Sequence, residues 1–386
     1  MLFIFVLWII LEYDGLTNAH LYQYHRGIGM FDVIVEMEKI QDPFSGLGQF
    51  CYHLGRELLA NSFENKLHFL LPPKSSTIFA GHRNNNPPLI LNKIYKNLSF
   101  LAPKSKVWHA THQDSPYLPG NRQTRYILTI HDLNFIFESK RSPRVLNRYK
   151  KTLQKKIDRA THVVFISQFT KKQVSESLTI DPSKASVIYN GIALTHFDSP
   201  HRPTFFNSFD SKSKFFFSIG AILPKKNFHV LIDLARSMPE YNFILAGTTF
   251  HPYAQNILQQ LKDAGLTNRF IMPGTISEED KFWLYKNCEA LLFPSLFEGF
   301  GIPVAEAMSL GRPVFLSRHT GLPEIGGPHA FYFENFQAEH MREVILRQLA
   351  TVARDPLSYA TKAIAHTSSF SWKMAAQRYL EIYAKK

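Results

Sequence analysis

The sequence predicts an α/β protein made of two parallel-sheet domains, and three observations carry that expectation. At 386 residues the chain is longer than one hydrophobic core ordinarily serves. Short apolar runs alternate with stretches of helical period along its length, the pattern of strands joined by helical crossovers. That alternation lapses between His196 and Lys214, a stretch rich in Ser, Pro, Asp and Phe that reads as an interdomain linker. With 45% apolar and 19% charged residues, the composition excludes collagen, coiled coil and wholesale disorder.

The first element is not a strand. Met1 to Leu11 is an apolar run with no Lys or Arg ahead of it, too short to span a bilayer and lacking the positive start of a signal peptide. Met30 directly precedes the first strand pattern, so residues 1–29 are expected to lie outside the fold, with a cleaved or anchoring leader as the alternative. Strands are then predicted at Phe31 to Val35, Lys66 to Leu71, Val107 to Ala110, Tyr126 to Ile130 and His162 to Ile166. Helical patterns separate them at Phe50 to Leu59 and Arg144 to Ile157. The second half repeats the scheme with strands at Phe215 to Ile219, Tyr241 to Ala246, Phe270 to Met272, Ala290 to Phe293 and Pro313 to Leu316. The expected division is residues 30–200, 201–370 and a terminal helix at 371–386, the last able to pack on either Rossmann-like domain.

A formal charge of +13 is unevenly spread: from Glu138 to Lys172 there are eleven Lys or Arg against two acids. Such a face attracts phosphate-bearing substrates or an anionic membrane, or is solvated helix surface. No aromatic-and-glycine signature of nucleic-acid binding accompanies it, so nucleic acid is not an expected partner. Cys51 and Cys288 are far apart with no neighbour at metal-ligand spacing, which indicates neither a disulfide framework nor zinc and fits a reducing, cytoplasmic compartment.

The densest chemical signal runs from Phe293 to Gly311 (FPSLFEGFGIPVAEAMSLG). A buried strand ends at Phe293, a loop bearing Gly299, Phe300 and Gly301 follows, and a helix starts near Pro303 and stops at Gly311. Loop amides and a helix N-terminus make an anion cradle. Glu298 in the loop and Glu306 in the helix can hold sugar hydroxyls on either side of a phosphate; the plainer reading is a surface loop acid and a helix salt bridge. Gly220 to Asn227 (GAILPKKN) follows the first strand of the second half, where Lys225 or Lys226 can reach a diphosphate and stabilise a leaving group. In the first half, Gly46-Leu47-Gly48 opens a helix, and either a ligand or a tight turn explains its glycines. His131-Asp132 ends the strand Tyr126 to Ile130, as a cleft residue or a structural pair.

From about Phe215 to Phe333 the chain resembles the retaining glycosyltransferases of family four, which have the GT-B fold of two Rossmann-like domains with parallel sheets facing a central cleft. The segments that carry the resemblance are Glu298-x7-Glu306, Pro224-Lys225-Lys226-Asn227, Phe270 to Ser277, Leu284-Tyr285-Lys286 and Gly321-Leu322-Pro323-Glu324. It implies that Glu298 contacts the donor sugar, Glu306 the ribose and Lys226 the diphosphate, with Gly274 to Ile276 at the base. It extends to Phe31 through His131 at the active-site cleft, Ser167 to Thr170 and Tyr189 to Gly191. Many members carry Arg immediately after the glycine matching Gly220; here Ala221 stands there, leaving that cation missing or supplied by Lys225.

The implied activity is retaining transfer of a hexosyl unit, mannose or glucose, from a nucleotide diphosphate sugar to a glycan or lipid-linked acceptor. The implied setting is the cytoplasm or the inner membrane face, in polysaccharide biosynthesis. An epimerase or phosphorylase on the same fold is the alternative. A glycoside hydrolase also uses two carboxylates, but flanking a bond rather than on one loop-helix unit. No Asp-x-Asp occurs, which agrees with a donor site that uses neither metal nor cofactor.

Overall fold

A computed structural model describes residues 31–61, 67–82, 86–137, 141–209 and 213–385. The leader Met1 to Gly29 with Met30, and Glu138 and Lys140 of the basic stretch, lie outside the described residues.

Two all-parallel sheets account for every predicted strand. The first contains β1 (Phe31–Glu36), β2 (Leu67–Leu71), β3 (Leu89–Ile90), β4 (Ser105–Ala110), β5 (Arg125–Ile130), β6 (His162–Phe165) and β7 (Ala185–Val187), in the order β3-β2-β1-β4-β5-β6-β7. The second contains β8 (Phe215–Ile219), β9 (Asn242–Ala246), β10 (Phe270–Gly274), β11 (Ala290–Phe293), β12 (Val314–Ser317) and β13 (Phe331–Phe333), in the order β10-β9-β8-β11-β12-β13. Each order grows outward from its first strand and then reverses. The switch points therefore fall between β1 and β4 and between β8 and β11, where the carboxyl ends open a crevice for ligands.

Local sequence explains the crossovers. Helix α1 (Gly46–Asn61) buries Phe50, Cys51, Leu54, Leu58 and Leu59 on one side. Helix α2 (Pro143–Arg159) buries Leu153 and Ile157 and exposes Arg144, Arg148, Lys151 and Lys155. Helix α3 (Gln168–Ser177) follows β6 and is capped by Ser167, whose hydroxyl accepts from Thr170 N–H. In the second half the crossovers are α4 (Val230–Ser237), α5 (Pro252–Asp263), α6 (Glu278–Asn287), α7 (Ile302–Ser309) and α8 (Leu322–Gly326). Ser277 and Asp280 form a reciprocal capping box at the start of α6. The chain closes with α9 (Ala338–Arg354), α10 (Pro356–Thr367) and α11 (Trp372–Ala384).

Two segments beside the sheets have packing that the strand pattern leaves open. Within the supposed linker, Phe206 and Phe209 are buried, and Phe206 packs edge-on against Phe215 at 4.8 Å and Trp283 at 5.1 Å. Those aromatics anchor the stretch to the second domain. The terminal helix α11 packs back on the first domain against α1: Phe50 meets Trp372 at 5.6 Å and Tyr379 at 6.4 Å. Arg125 of β5 donates to the carbonyls of Ile382 and Tyr383, at 2.8 and 3.0 Å, satisfying the C-terminal end of α11. Gly191 permits the crossing, because a Cβ there would lie 2.1 Å from Trp372 N.

Candidate active site

The crevice of the second sheet is built by the loops after β8 and β11. After β8 the chain turns through Gly220 (φ +146°), and Pro224 to Lys226 form a short 3-10 turn that ends at Asn227 in the left-handed region (φ 58°). That turn aims Lys226 back over the strand ends: its Nζ lies 5.0 Å from the Phe293 ring centroid and pairs with Glu298 Oε1. Only 13% of each side chain is exposed. Ser295 Oγ donates to the same carboxylate oxygen at 2.8 Å, while the Glu298 N–H donates to Thr320 Oγ1 at 2.9 Å. The loops are tied together by Leu296 N–H donating to the Lys225 carbonyl at 2.8 Å.

The other predicted residues fall into different settings. Glu306, in α7, is 3% exposed; Tyr285 OH donates to one oxygen at 2.8 Å and Lys281 Nζ stands 3.3 Å from the other. Burial opposes the Lys281 charge, yet Glu306 and Glu278 outweigh it and hold its pKa above the usual lysine range. Burial first, then Glu306, pushes the Tyr285 phenol well up. Glu306 is thus held by α6 rather than presented as a bare carboxylate. Phe300 is buried against Tyr189 and Phe370, so its side chain belongs to the packing and not to a ligand surface. Gly301 (φ +95°) caps α7. Gly274 (φ +83°) ends β10 with no atom of the described residues within 4 Å of its would-be Cβ, whereas Ile276 is half-buried against the core. Gly48 has a packing reason of its own: a Cβ would meet Asp42 O at 1.8 Å, and its N–H already donates to Ser45 Oγ at 3.0 Å. Open space lies at Gly46 instead.

His131 lies across the cleft from the Glu298 loop. A Cβ on Gly299 would stand 2.0 Å from the His131 carbonyl oxygen, and Ser167 Oγ donates to Gly299 O at 2.6 Å. The imidazole is buried, with Nε2 2.8 Å from Thr111 O as donor and Phe50 edge-on at 4.6 Å. Burial is the main cause that lowers its pKa to about 3, so the ring is neutral at physiological pH. Glu324 reaches across as well: its two oxygens accept from Gln168 and Phe169 N–H at 2.8 and 2.7 Å, at the N-terminus of α3.

The sequence reading missed Ser295 and Thr320 as supports of Glu298, Lys281 and Tyr285 as partners of Glu306, and Glu324 as an interdomain contact. Ser295 had a visible signal in its place three residues before Glu298. The others depend on elements brought together from 21 to 156 residues away, which no local pattern reports.

The family model described as "Glycosyl transferases group 1" matches residues 203–357, and that described as "Glycosyltransferase Family 4" matches residues 44–196. The chain belongs to the family four, group 1 glycosyltransferases. Among this glycosyltransferase's relatives, O-antigen chain mannosyltransferase B of Escherichia coli is 24% identical over 91% of this chain and 99% of its own. O-antigen chain mannosyltransferase RfbU of Salmonella typhimurium is 30% identical over 54% of each chain. The Anabaena HepE structure with UDP and glucose superposes with a TM-score of 0.69 at 18% identity, over 92% of this chain and 100% of that one. WaaG, a glycosyltransferase involved in lipopolysaccharide biosynthesis, gives 0.65 at 14% over 92% and 100%. At those identities the structures establish the fold, which is GT-B, and the enzyme is a hexosyltransferase. No described helix is long and apolar enough to cross a membrane.

Proposed function

We propose that this glycosyltransferase moves a mannosyl unit, with retention at the anomeric carbon, from a nucleoside diphosphate sugar to a glycan or lipid-linked acceptor in polysaccharide synthesis. The observation that carries the reading is the Lys226–Glu298 pair at the switch point of the second sheet, beside the N-terminus of α7. A donor diphosphate draws Lys226 toward itself and frees Glu298 to accept from the sugar hydroxyls. Lysine and the α7 amides then stabilise the leaving diphosphate, without metal or cofactor, while the acceptor attacks from the same face. Glu306 holds the ribose by exchanging its Tyr285 or Lys281 contact, and Gly274 and Ile276 frame the base. The mannosyl assignment is supported by relatives named as mannosyltransferases. Thermal shift against UDP-, GDP-, ADP- and dTDP-sugars tests the donor, because a ligand of the native state raises apparent stability. Transfer followed by NMR of the product anomer tests retention; an inverted product, or epimerised donor without transfer, overturns it.

The basic helix supports a peripheral contact with an anionic membrane on the cytoplasmic side. Arg144, Arg148, Lys151 and Lys155 are exposed on α2. Arg159 is not part of that face: it donates to Pro119 O at 2.6 Å and is folded onto the protein. Each free cation near an anionic leaflet contributes about 1 kcal/mol. Sedimentation with anionic vesicles should show binding that falls with salt and with Glu at Arg144, Arg148 and Lys151; no binding at low salt removes the proposal.

A further inference from the structure

The first sheet has a polar cluster at its own switch point that the donor site does not use. Glu36 ends β1 and pairs in register with Ala110 of β4; Glu38 and His112 lie two residues beyond each. One ligand atom from each of Glu36, Glu38 and His112 lies within 4.8 Å of the others, and His112 Nε2 is 3.6 Å from Glu38 Oε2. Glu36 is 0% exposed, His112 1%, and the Glu38 side chain 15%.

Polar groups this deeply buried are ordinarily bonded. Among the described residues, Glu36 Oε2 and both ring nitrogens of His112 make no hydrogen bond, and His112 Nε2 faces Glu38 Oε2 at 3.6 Å. Lys96 at 3.4 Å and Lys39 at 3.6 Å pair with Glu38.

We propose that Glu36, Glu38 and His112 form a divalent-cation site that takes a zinc-class ion, distinct from the nucleotide-sugar crevice. An imidazole nitrogen with two carboxylate oxygens suits Zn²⁺ or, in its place, Co²⁺. Ligand bonds of about 2.1 Å in tetrahedral geometry place ligand atoms about 3.4 Å apart, close to the 3.6 Å between His112 Nε2 and Glu38 Oε2 and inside the 4.8 Å that bounds the cluster. An ion here would place positive charge against the buried Glu36 and Glu38 carboxylates. Closure of the cluster favours a single ion over a sugar, since only the edge of Glu38 meets solvent. The ion also acts on the cleft: Thr111 and Gln113, on either side of His112, accept from His131 Nε2 and from its backbone N–H. Fixing His112 fixes the loop that orients His131.

Titration of the full chain with Zn²⁺ and Co²⁺ tests this by calorimetry, by the visible spectrum of Co²⁺ and by melting. One saturable site is expected, with the absorption of low-coordinate Co²⁺ and a raised melting temperature. Glu36→Gln and His112→Gln should each weaken binding at least tenfold. Glu36→Gln, which replaces a buried acid by a neutral isostere, should melt no lower than the parent without metal, so that loss of binding is not loss of fold. Absence of saturable binding, or unchanged binding in Glu36→Gln, overturns the site. Stabilisation by methyl mannoside without metal, abolished in Glu36→Gln, would overturn it in favour of glycan hydroxyls.

Discussion

Lys226 and Glu298 hold each other's charge in a crevice that leaves 13% of either side chain exposed; Ser295 donates to the carboxylate, and Thr320 accepts from the Glu298 backbone N–H. Glu298→Gln keeps the shape and removes the charge. Transfer is expected to fall by roughly 10²-fold or more, the scale lost with one preorganised electrostatic contact. The melting temperature should stay close to that of the parent, and near-normal initial rates in a folded variant would remove Glu298 from the donor site. Glu306 differs because its carboxylate is already engaged. Glu306→Gln leaves Lys281 with Glu278 alone, at 2.9 Å, so it should lower both stability and nucleotide affinity. A charge-assisted bond to ribose is worth about 1.5–3 kcal/mol, which is roughly a tenfold or greater loss by calorimetry. A variant that melts lower but binds nucleotide normally would assign Glu306 to the α6–α7 contact alone.

At the scale of elements, the strands were legible because buried parallel strands read as apolar runs, and Phe215 to Phe217 or Leu291 to Phe293 admit little else. The edge strands β3, β7 and β13 were not: they have two or three residues, mostly half-buried, and exist because a neighbour supplies the ladder. The loop after β11 was legible through its glycines and its two glutamates. The docking of α11 was not, since its amphipathic pattern says which face is apolar and not what covers it. Its partner is a buried polar layer: His109 Nδ1 lies 2.7 Å from Tyr383 OH and Nε2 lies 2.8 Å from Thr129 Oγ1. Burial lowers His109, like His131, to a pKa of about 3. The unfolded chain takes these protons near pH 6.5 and the fold does not, so their stability contribution is present above pH 6.5 and is lost as pH falls toward 3. At pH 5 each histidine costs roughly 2 kcal/mol. Glu36, raised by burial, acts with the opposite sign. The melting temperature should therefore drop between pH 7 and pH 5, and drop less in His109→Gln. An equal drop in both proteins would mean that His109 takes its proton within the fold.

For the whole molecule, the two domains meet where the chemistry is, through a small set of backbone contacts. Ser167 caps α3 and donates to Gly299 O, Glu324 accepts from the first two amides of α3, and Gly299 lies against the His131 carbonyl. Gly299 is the tightest point. A methyl at that position would stand 2.0 Å from a backbone oxygen that belongs to the other domain, so no rotamer change relieves it. The neighbouring Ile166 Cδ1, at 3.2 Å, leaves little room on the far side. Gly299→Ala should therefore hold the cleft ajar while each domain stays folded around its own sheet. Glu298 lies in the same loop and His131 on the opposite wall, so misplacement by about 1 Å should cost transfer about 10²-fold. Nucleotide affinity should change far less, because Lys226, Gly274 and Glu306 all belong to the second domain. Small-angle scattering should show a larger radius of gyration for the variant with the donor nucleotide bound. Unchanged scattering together with unchanged turnover would mean that catalysis does not require this contact.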